Sequence, residues 1–346
     1  EFFDETAEWS VNRQAARESR NVARNQALYE EIARWDDSAN FDVIYERYSL
    51  FGYAGRMYAA DRGKPFVLEV NAPLVEETLT HRTLHLTDIA RSVERYLFTT
   101  ADHIVAVSAE VKRYIRSVAK RASVTVVPNG VDPERFAGVV ADPALSVPGD
   151  GVVIGFLGSL KPWHGIEQLL HAVQQLEPAD RNRLHILIFG DSPRLRPELE
   201  SLSADLGIAK LVTFAGAVSY DEIPVALAGC DILVAPYPEI PGFYFSPLKL
   251  FEYMAAGKAI VAARIGQIAD ILEQDITGLL YTPGQIAELG AALQRVASDA
   301  ELRHRLGSSA RSMARQRHTW AQRVNAVTDI FANLGGARTV QREPAL

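Results

Sequence analysis

The feature that most limits what this chain can fold into is a rhythm of short apolar runs separated by stretches with helical spacing. The first set of runs is Phe41–Tyr45, Pro65–Val70, His103–Ser108 and Val124–Val127, with helical patterns between them such as Thr87–Phe98 and Ala109–Val118. A polar, helix-forming stretch from Asp4 to Trp35 comes first, with Trp9, Val22, Leu28 and Ile32 as spaced apolar positions. A loop rich in Pro, Gly and Asp, Asp142–Gly151, interrupts the pattern. It then restarts with Val152–Leu157, His185–Phe189, Leu211–Phe214, Asp231–Val234, Ala259–Ala262 and Gly278–Tyr281. Apolar strands alternating with helices predict parallel sheets covered on both faces. A length of 346 residues is too great for one ordinary core.

The expected fold class is therefore α/β, with two doubly wound, Rossmann-like parallel-sheet domains. The expected boundaries are 1–145 for an N-terminal domain and 146–318 for a second domain. A helix over 319–334 is expected to cross back to the first domain, with a frayed tail over 335–346.

Charge and cysteine usage exclude several classes. Lys and Arg number 36 against 43 Asp and Glu, a formal net charge of -7. A nucleic-acid binder normally carries a basic field, so none is expected as a partner. The single cysteine, Cys230, cannot form an intrachain disulfide or build a zinc site alone, which fits a reducing compartment. No apolar run is long enough to span a bilayer, and the start at Glu1 shows no leader pattern. The expected location is the cytoplasm.

In doubly wound sheets the ligand lies beyond the carboxyl ends of the strands. In the second domain that directs attention to Gly158, Gly190, Gly216, Tyr237 and Arg264. The segment Gly158-Ser-Leu-Lys-Pro-Trp-His-Gly165 follows an apolar run and opens a helix over Ile166–Leu176. A helix N-terminus offers free N–H groups and positive potential to a phosphate. Lys161 adds a full charge there and His164 a further donor. The plain alternative is an ordinary strand-to-helix turn with Lys161 in solvent.

A second segment, Phe243–Lys258, reads as a loop entering a helix at Ser246 or Pro247, with Ser246 as the cap, and stopping at Gly257. Lys249 falls in the first turn, where the helix dipole opposes a cation and a bound anion would offset the cost. Glu252 follows about one turn later and could accept both hydroxyls of a ribose. The plain alternative is a surface helix with both side chains solvated.

Taken together, these segments resemble the retaining GT-B glycosyltransferases of the large family four. Ser246–Val261 resembles that family's nucleotide-sugar helix, and Phe156–Gly165 its diphosphate loop. Val127-Pro-Asn-Gly-Val-Asp132 resembles the approach to its interdomain linker, and Thr277–Tyr281 with the helix through Trp320 its C-terminal segments. The match runs in order over about residues 40 to 334.

The resemblance implies a nucleotide-diphosphate sugar as donor, UDP- or GDP-linked, and a sugar, lipid-linked or small-molecule acceptor, with no cofactor. It implies that Glu252 holds the ribose hydroxyls and that Lys161, with the amides near Gly158 and Ser159, holds the diphosphate. The helix start from Ser246 through Leu248 to Lys249 faces phosphate and sugar, and the backbone around Val218 borders the base. Lys161 and Asn71 are the expected catalytic residues.

Four departures stand out. The first of the family's two paired glutamates falls on Tyr244, its phosphate-loop arginine on Ser159, and its second basic residue on His164. Its early histidine falls on Asn71, which cannot titrate. The glycine-rich strand-turn-helix that opens the family's first domain is also missing, since no glycine precedes Gly52. An opening portion on the order of half of that domain is therefore expected to be absent from this chain.

With no nucleophilic carboxylate in the family pattern, a front-face retaining transfer is implied, with the protein stabilising charge and positioning the reactants. No Asp-x-Asp triplet and no His/Cys cluster occurs, so no metal site is expected. Two other readings are a nucleotide-sugar epimerase drawing on Glu46, Glu69, Glu76 or Glu77, and a non-catalytic nucleotide-sugar binding protein. Finally, the helix Ala109–Arg121 carries Lys112, Arg113, Arg116, Lys120 and Arg121. It reads either as an amphipathic helix with a solvated basic face or as a peripheral contact with the membrane's inner face.

Overall fold

The computed structural model describes residues 5–143 and 151–340, with side chains placed from 13 to 335. The side chain of Trp9, residues 144–150 of the predicted interdomain loop, and the tail beyond 340 lie outside the described residues. Two compact units are present, Glu1–Pro128 with Val324–Leu346, and Asn129–Arg323.

The first unit is a parallel sheet in the order β1-β2-β3-β4, formed by β1 (Ile44–Arg47), β2 (Phe66–Val70), β3 (His103–Ala106) and β4 (Val124–Val126). Its helices are α1 (Glu5–Ala39), α2 (Ala54–Asp61), α3 (Leu74–His81), α4 (Thr87–Thr100) and α5 (Ala109–Val118). Phe66, Val67 and Leu68 are fully buried, as expected for a strand covered on both faces. Side chains remote in sequence fix the helix ends. Asn25 of α1 accepts from the backbone N–H groups of Tyr53 and Ala54 at 2.7 and 3.0 Å and donates to the Phe51 carbonyl at 2.8 Å. That satisfies donors at the start of α2, which has no side-chain cap of its own. Ser108 caps α5 locally, accepting from the N–H of Val111.

The second unit is a parallel sheet in the order β10-β9-β8-β5-β6-β7. Its strands are β5 (Val152–Leu157), β6 (Leu184–Phe189), β7 (Val212–Gly216), β8 (Ile232–Ala235), β9 (Ala259–Ala263) and β10 (Leu279–Tyr281). The helices around it are α6 (Ile166–Gln174), α7 (Pro178–Arg181), α8 (Leu195–Asp205), α9 (Ile223–Ala228), α10 (Leu248–Ala256), α11 (Gly266–Ile271), α12 (Ile286–Ser298) and α13 (Ala300–Arg317). A last helix, α14 (Trp320–Val340), starts in the second unit and continues in the first. There Ala326, Val327, Ile330 and Phe331 pack with Val67, Val105 and Val127.

The chain runs outward from β5 through β6 to β7, then returns to β8 on the other side of β5. That reversal makes the crevice between the carboxyl ends of β5 and β8 the topological switch point, where ligands bind in open α/β sheets. Tyr253 of α10 ties the two ends together. Its hydroxyl accepts from the N–H of Leu157 at 2.9 Å and donates to the carbonyl of Val234 at 3.3 Å. The buried Cys230 Sγ sits where a side chain on Gly155 of β5 would have to go, so the lone thiol fills core space.

Candidate functional site

Three loops of the second unit converge beyond the switch point. The first leaves β5 at Gly158, whose N–H donates to the Phe189 carbonyl of β6 at 2.9 Å. Gly158 has a φ of 137°, a region open in practice only to glycine. The loop then forms a short 3-10 turn, Pro162–His164, and turns at Gly165 into α6. The second loop leaves β8 and places Tyr237, 3% exposed, opposite the first. The third is the aromatic run Phe243–Phe245 that leads into α10.

The helix start differs from the expected one. Leu248 is the first helical residue and Pro247 the cap, with no side-chain capping bond. Ser246 is not a cap, because its hydroxyl accepts from the backbone N–H of Asn129 at 3.1 Å and its carbonyl from the Asn129 side chain at 2.8 Å. Asn129 in turn accepts from Arg323 through its own carbonyl, at 3.2 Å. The helix ends as expected at Gly257, which takes the left-handed conformation with φ 68°.

Lys249 is buried rather than solvated, with 9% exposure. Its Nζ lies 4.3 Å from the Phe156 ring centre and 5.5 Å from that of Tyr237. It has no hydrogen-bond partner among the described residues. The ammonium abuts the Gly158 backbone: a β-carbon there would come within 2.8 Å of Nζ. Burial lowers its pKa to about 7, and Glu252 only partly restores it.

His164 is also shifted. Burial, then the charge of Lys249, pull its pKa down to about 4. Its Nδ1 donates to the Ser159 carbonyl at 2.5 Å, which leaves Nε2 as an acceptor in the neutral ring. Ser159 and Lys161 are exposed. The Lys161 ammonium lies 5.9 Å from the Trp163 ring centre, so the loop's second lysine sits in solvent beside an indole.

Glu252 is half-buried one turn into α10, and burial raises its pKa against the opposing pull of Arg135 and Lys249. Arg135 stacks 3.5 Å from the Tyr220 ring centre, donates to the Tyr220 carbonyl at 2.5 Å and pairs with Asp221 at 3.6 Å. This Arg135–Tyr220 stack was not anticipated from the sequence. The signal available was an arginine two residues beyond the Val127–Asp132 motif and a tyrosine two residues beyond Val218. Val218 itself is half-buried at the exit of β7. Tyr244 stacks on Phe245 with ring centres 4.4 Å apart, and Leu248 is 50% exposed.

One expected site residue lies in the first unit. Asn71 follows β2 and donates from Nδ2 to Glu69 at 2.6 Å, while its buried Oδ1 has no partner among the described residues. Glu69 is further engaged by the Tyr45 hydroxyl at 2.7 Å and by Arg47 at 3.3 Å. Glu76 pairs with Arg91 at 3.0 Å. Glu46 is different: it lies against Gly52 and Gly55, and burial pushes its pKa up to about 7. Among the described residues no cluster of three or more His, Cys, Asp or Glu is placed to hold a metal ion.

Comparison with known proteins adds to this geometry. Residues 8–135 match the family model described as Glycosyltransferase Family 4, and residues 151–299 the one described as Glycosyl transferases group 1. The D-inositol 3-phosphate glycosyltransferase of Saccharomonospora viridis is 31% identical over 317 residues, covering 84% of this chain and 70% of the relative. That of Stackebrandtia nassauensis is 29% identical, covering 88% of this chain and 71% of the relative. The 2-deoxystreptamine glucosyltransferase of Streptomyces kanamyceticus is 30% identical, covering 62% of this chain and 57% of the relative. Among solved structures, sucrose-phosphate synthase from Thermosynechococcus elongatus superposes with a TM-score of 0.73 at 20% identity, covering 91% of this chain and 79% of that one. HepE of Anabaena in complex with UDP gives 0.72 at 21%, covering 89% and 82%. Both structural likenesses bear on the fold alone.

Proposed function

The chain belongs to the group 1 glycosyltransferases, the retaining GT-B enzymes of family four that take a sugar from a nucleotide sugar, and on that premise we propose that its donor is a UDP-hexose and its acceptor a small cyclic polyol or aminocyclitol. The observation that carries the donor reading is the meeting at the β5/β8 switch point of a glycine turn, a helix N-terminus, a buried lysine and the unpaired carboxylate of Glu252. These are the groups that a diphosphate and a ribose diol require. HepE, of the same fold, has been solved with UDP and with UDP-glucose, which favours uridine over guanosine. The acceptor class follows from relatives whose names give D-inositol 3-phosphate and 2-deoxystreptamine.

In this reading Glu252 accepts the ribose hydroxyls, and the amides of Gly158 and Ser159 hold the diphosphate with Lys161 and His164. The backbone near Val218 borders the base, and Tyr244, Ser246 and Leu248 line the sugar side. Lys161 stabilises the charge that grows on the leaving diphosphate. Asn71 offers its unpartnered Oδ1 to a substrate hydroxyl. Transfer proceeds on the front face, and the enzyme works in the cytoplasm.

Incubation with UDP-glucose and a panel of inositol phosphates and aminocyclitols, read by proton NMR, tests the reading. A new α-glucoside is expected; a β-glucoside, or no transfer from any UDP-sugar, removes it.

A second surface supports a peripheral membrane contact. No described helix is long and apolar enough to cross a membrane. Val111 and Ile115 of α5 are buried, whereas Arg113, Arg116, Lys120 and Arg121 are exposed and Lys112 is half-exposed. Arg113 is paired with Glu110 at 2.9 Å, so the attraction to anionic lipid comes mainly from the others.

A further inference from the structure

The donor reading above leaves one feature unexplained. Lys249 places a cation in the first turn of α10, against the helix dipole, and buries it without a single hydrogen bond. No carboxylate forms an ion pair with it among the described residues; Glu252, on its own helix, acts on it only at longer range. The rings of Phe156 and Tyr237 give weak cation–π contact, which does not replace the lost hydration of an ammonium. The loop facing it has Ser159 where its family carries a fixed arginine. The ammonium and the start of α6 thus border the same glycine turn, with no anion between them.

We propose that Lys249 is the charge partner of the donor's diphosphate and takes up one proton from solvent as the nucleotide sugar binds. The proton adds to the Nζ lone pair, a neutral amine becomes an ammonium beside the bound dianion, and no other bond changes. The substrate thereby supplies the counter-ion that the folded protein lacks.

Every titratable or charged group facing Lys249 has been considered. His164, on the 3-10 turn, is held neutral by burial and by the lysine itself. Lys161, ahead of that turn, is exposed. Tyr237, after β8, is pushed far above its ordinary range by burial. Glu252 is raised by burial. With its pKa near 7, Lys249 is the group poised to change state near neutrality.

The test is calorimetric titration of the whole chain with UDP-glucose in buffers of different ionisation enthalpy. Both phosphates of UDP-glucose are diesters and do not titrate near neutrality, so the proton counted belongs to the protein. Uptake of about one proton per donor is expected near pH 8 and almost none near pH 6, with affinity falling up to about tenfold per pH unit above 7. Lys249→Met should abolish the uptake and weaken binding near pH 6, and His164→Asn should keep the uptake. Binding without uptake near pH 8, or uptake that survives Lys249→Met or is lost in His164→Asn, overturns the proposal while leaving the donor reading intact. Absence of any binding at either pH removes the donor reading and this inference with it. Should Lys249→Met fail to fold, the wild-type buffer series and His164→Asn decide the matter.

Discussion

The Nζ of Lys249 lies 4.3 Å from the centre of the Phe156 ring, which joins the first turn of α10 to the central strand β5. One residue beyond Phe156 the same strand ends at Leu157, whose N–H is held by Tyr253 of the same helix. Helix and strand end are therefore locked on both sides of the Gly158 turn. Site groups carried on locked elements keep their geometry when a substrate arrives, which is what a charge-stabilising mechanism requires.

Glu252→Gln should weaken UDP-glucose binding about ten- to a hundredfold, on the scale of about 1–3 kcal/mol for a lost charge-assisted hydrogen bond. The residue is half-buried and no hydrogen bond to it is seen among the described residues, so the fold should tolerate the change. Calorimetry giving an unchanged affinity would take Glu252 out of the donor site.

Lys161→Ala should leave thermal stability within about 0.5 kcal/mol, as is usual for exposed positions, while turnover falls. Melting curves and initial rates separate the two effects. A lowered melting temperature with a proportionate loss of rate would make Lys161 a structural residue.

Glu46 should make stability depend on pH. Burial raises its folded pKa to about 7, above its ordinary value of 4.5, so the native state holds a proton that the unfolded chain releases. Its stabilising contribution is full below about pH 4.5 and is lost as pH rises through about 7. Glu46→Gln should therefore flatten the fall in melting temperature between about pH 5 and pH 8. Parallel profiles for the two proteins would show that the carboxyl is not protonated in the fold.

The basic face of α5 should bind vesicles that contain anionic lipid, each unpaired cation contributing about 1 kcal/mol near the surface. Co-sedimentation should rise with anionic lipid, fall with salt, and weaken when Arg113, Arg116 and Lys120 become Glu. Sedimentation that ignores lipid charge would leave a merely solvated helix.

The fold was largely legible because each strand carried its own local signal. Val152–Leu157 and Ala109–Val118 have the bounds their patterns implied, and most other elements shift by only a few residues. The helix at Ser246 was misplaced because its serine answers to Asn129, a partner 117 residues away that no local capping rule reveals. Lys249 was located, but its burial was not, since the rings around it arrive from β5 and from the loop after β8. His164 was read as a donor, yet its tether to the Ser159 carbonyl and its lowered pKa leave it an acceptor on the open side. In each case the missing information was tertiary.

The central claim is that the second unit holds a uridine diphosphate sugar, and a ligand panel tests it most directly. Melting temperatures and titrations of the chain with UDP-, GDP- and ADP-glucose should show stabilisation and one-to-one binding with UDP-glucose, weaker effects from the others, and loss of the response in Glu252→Gln. Equal responses to all three, or none to UDP-glucose, would contradict the account.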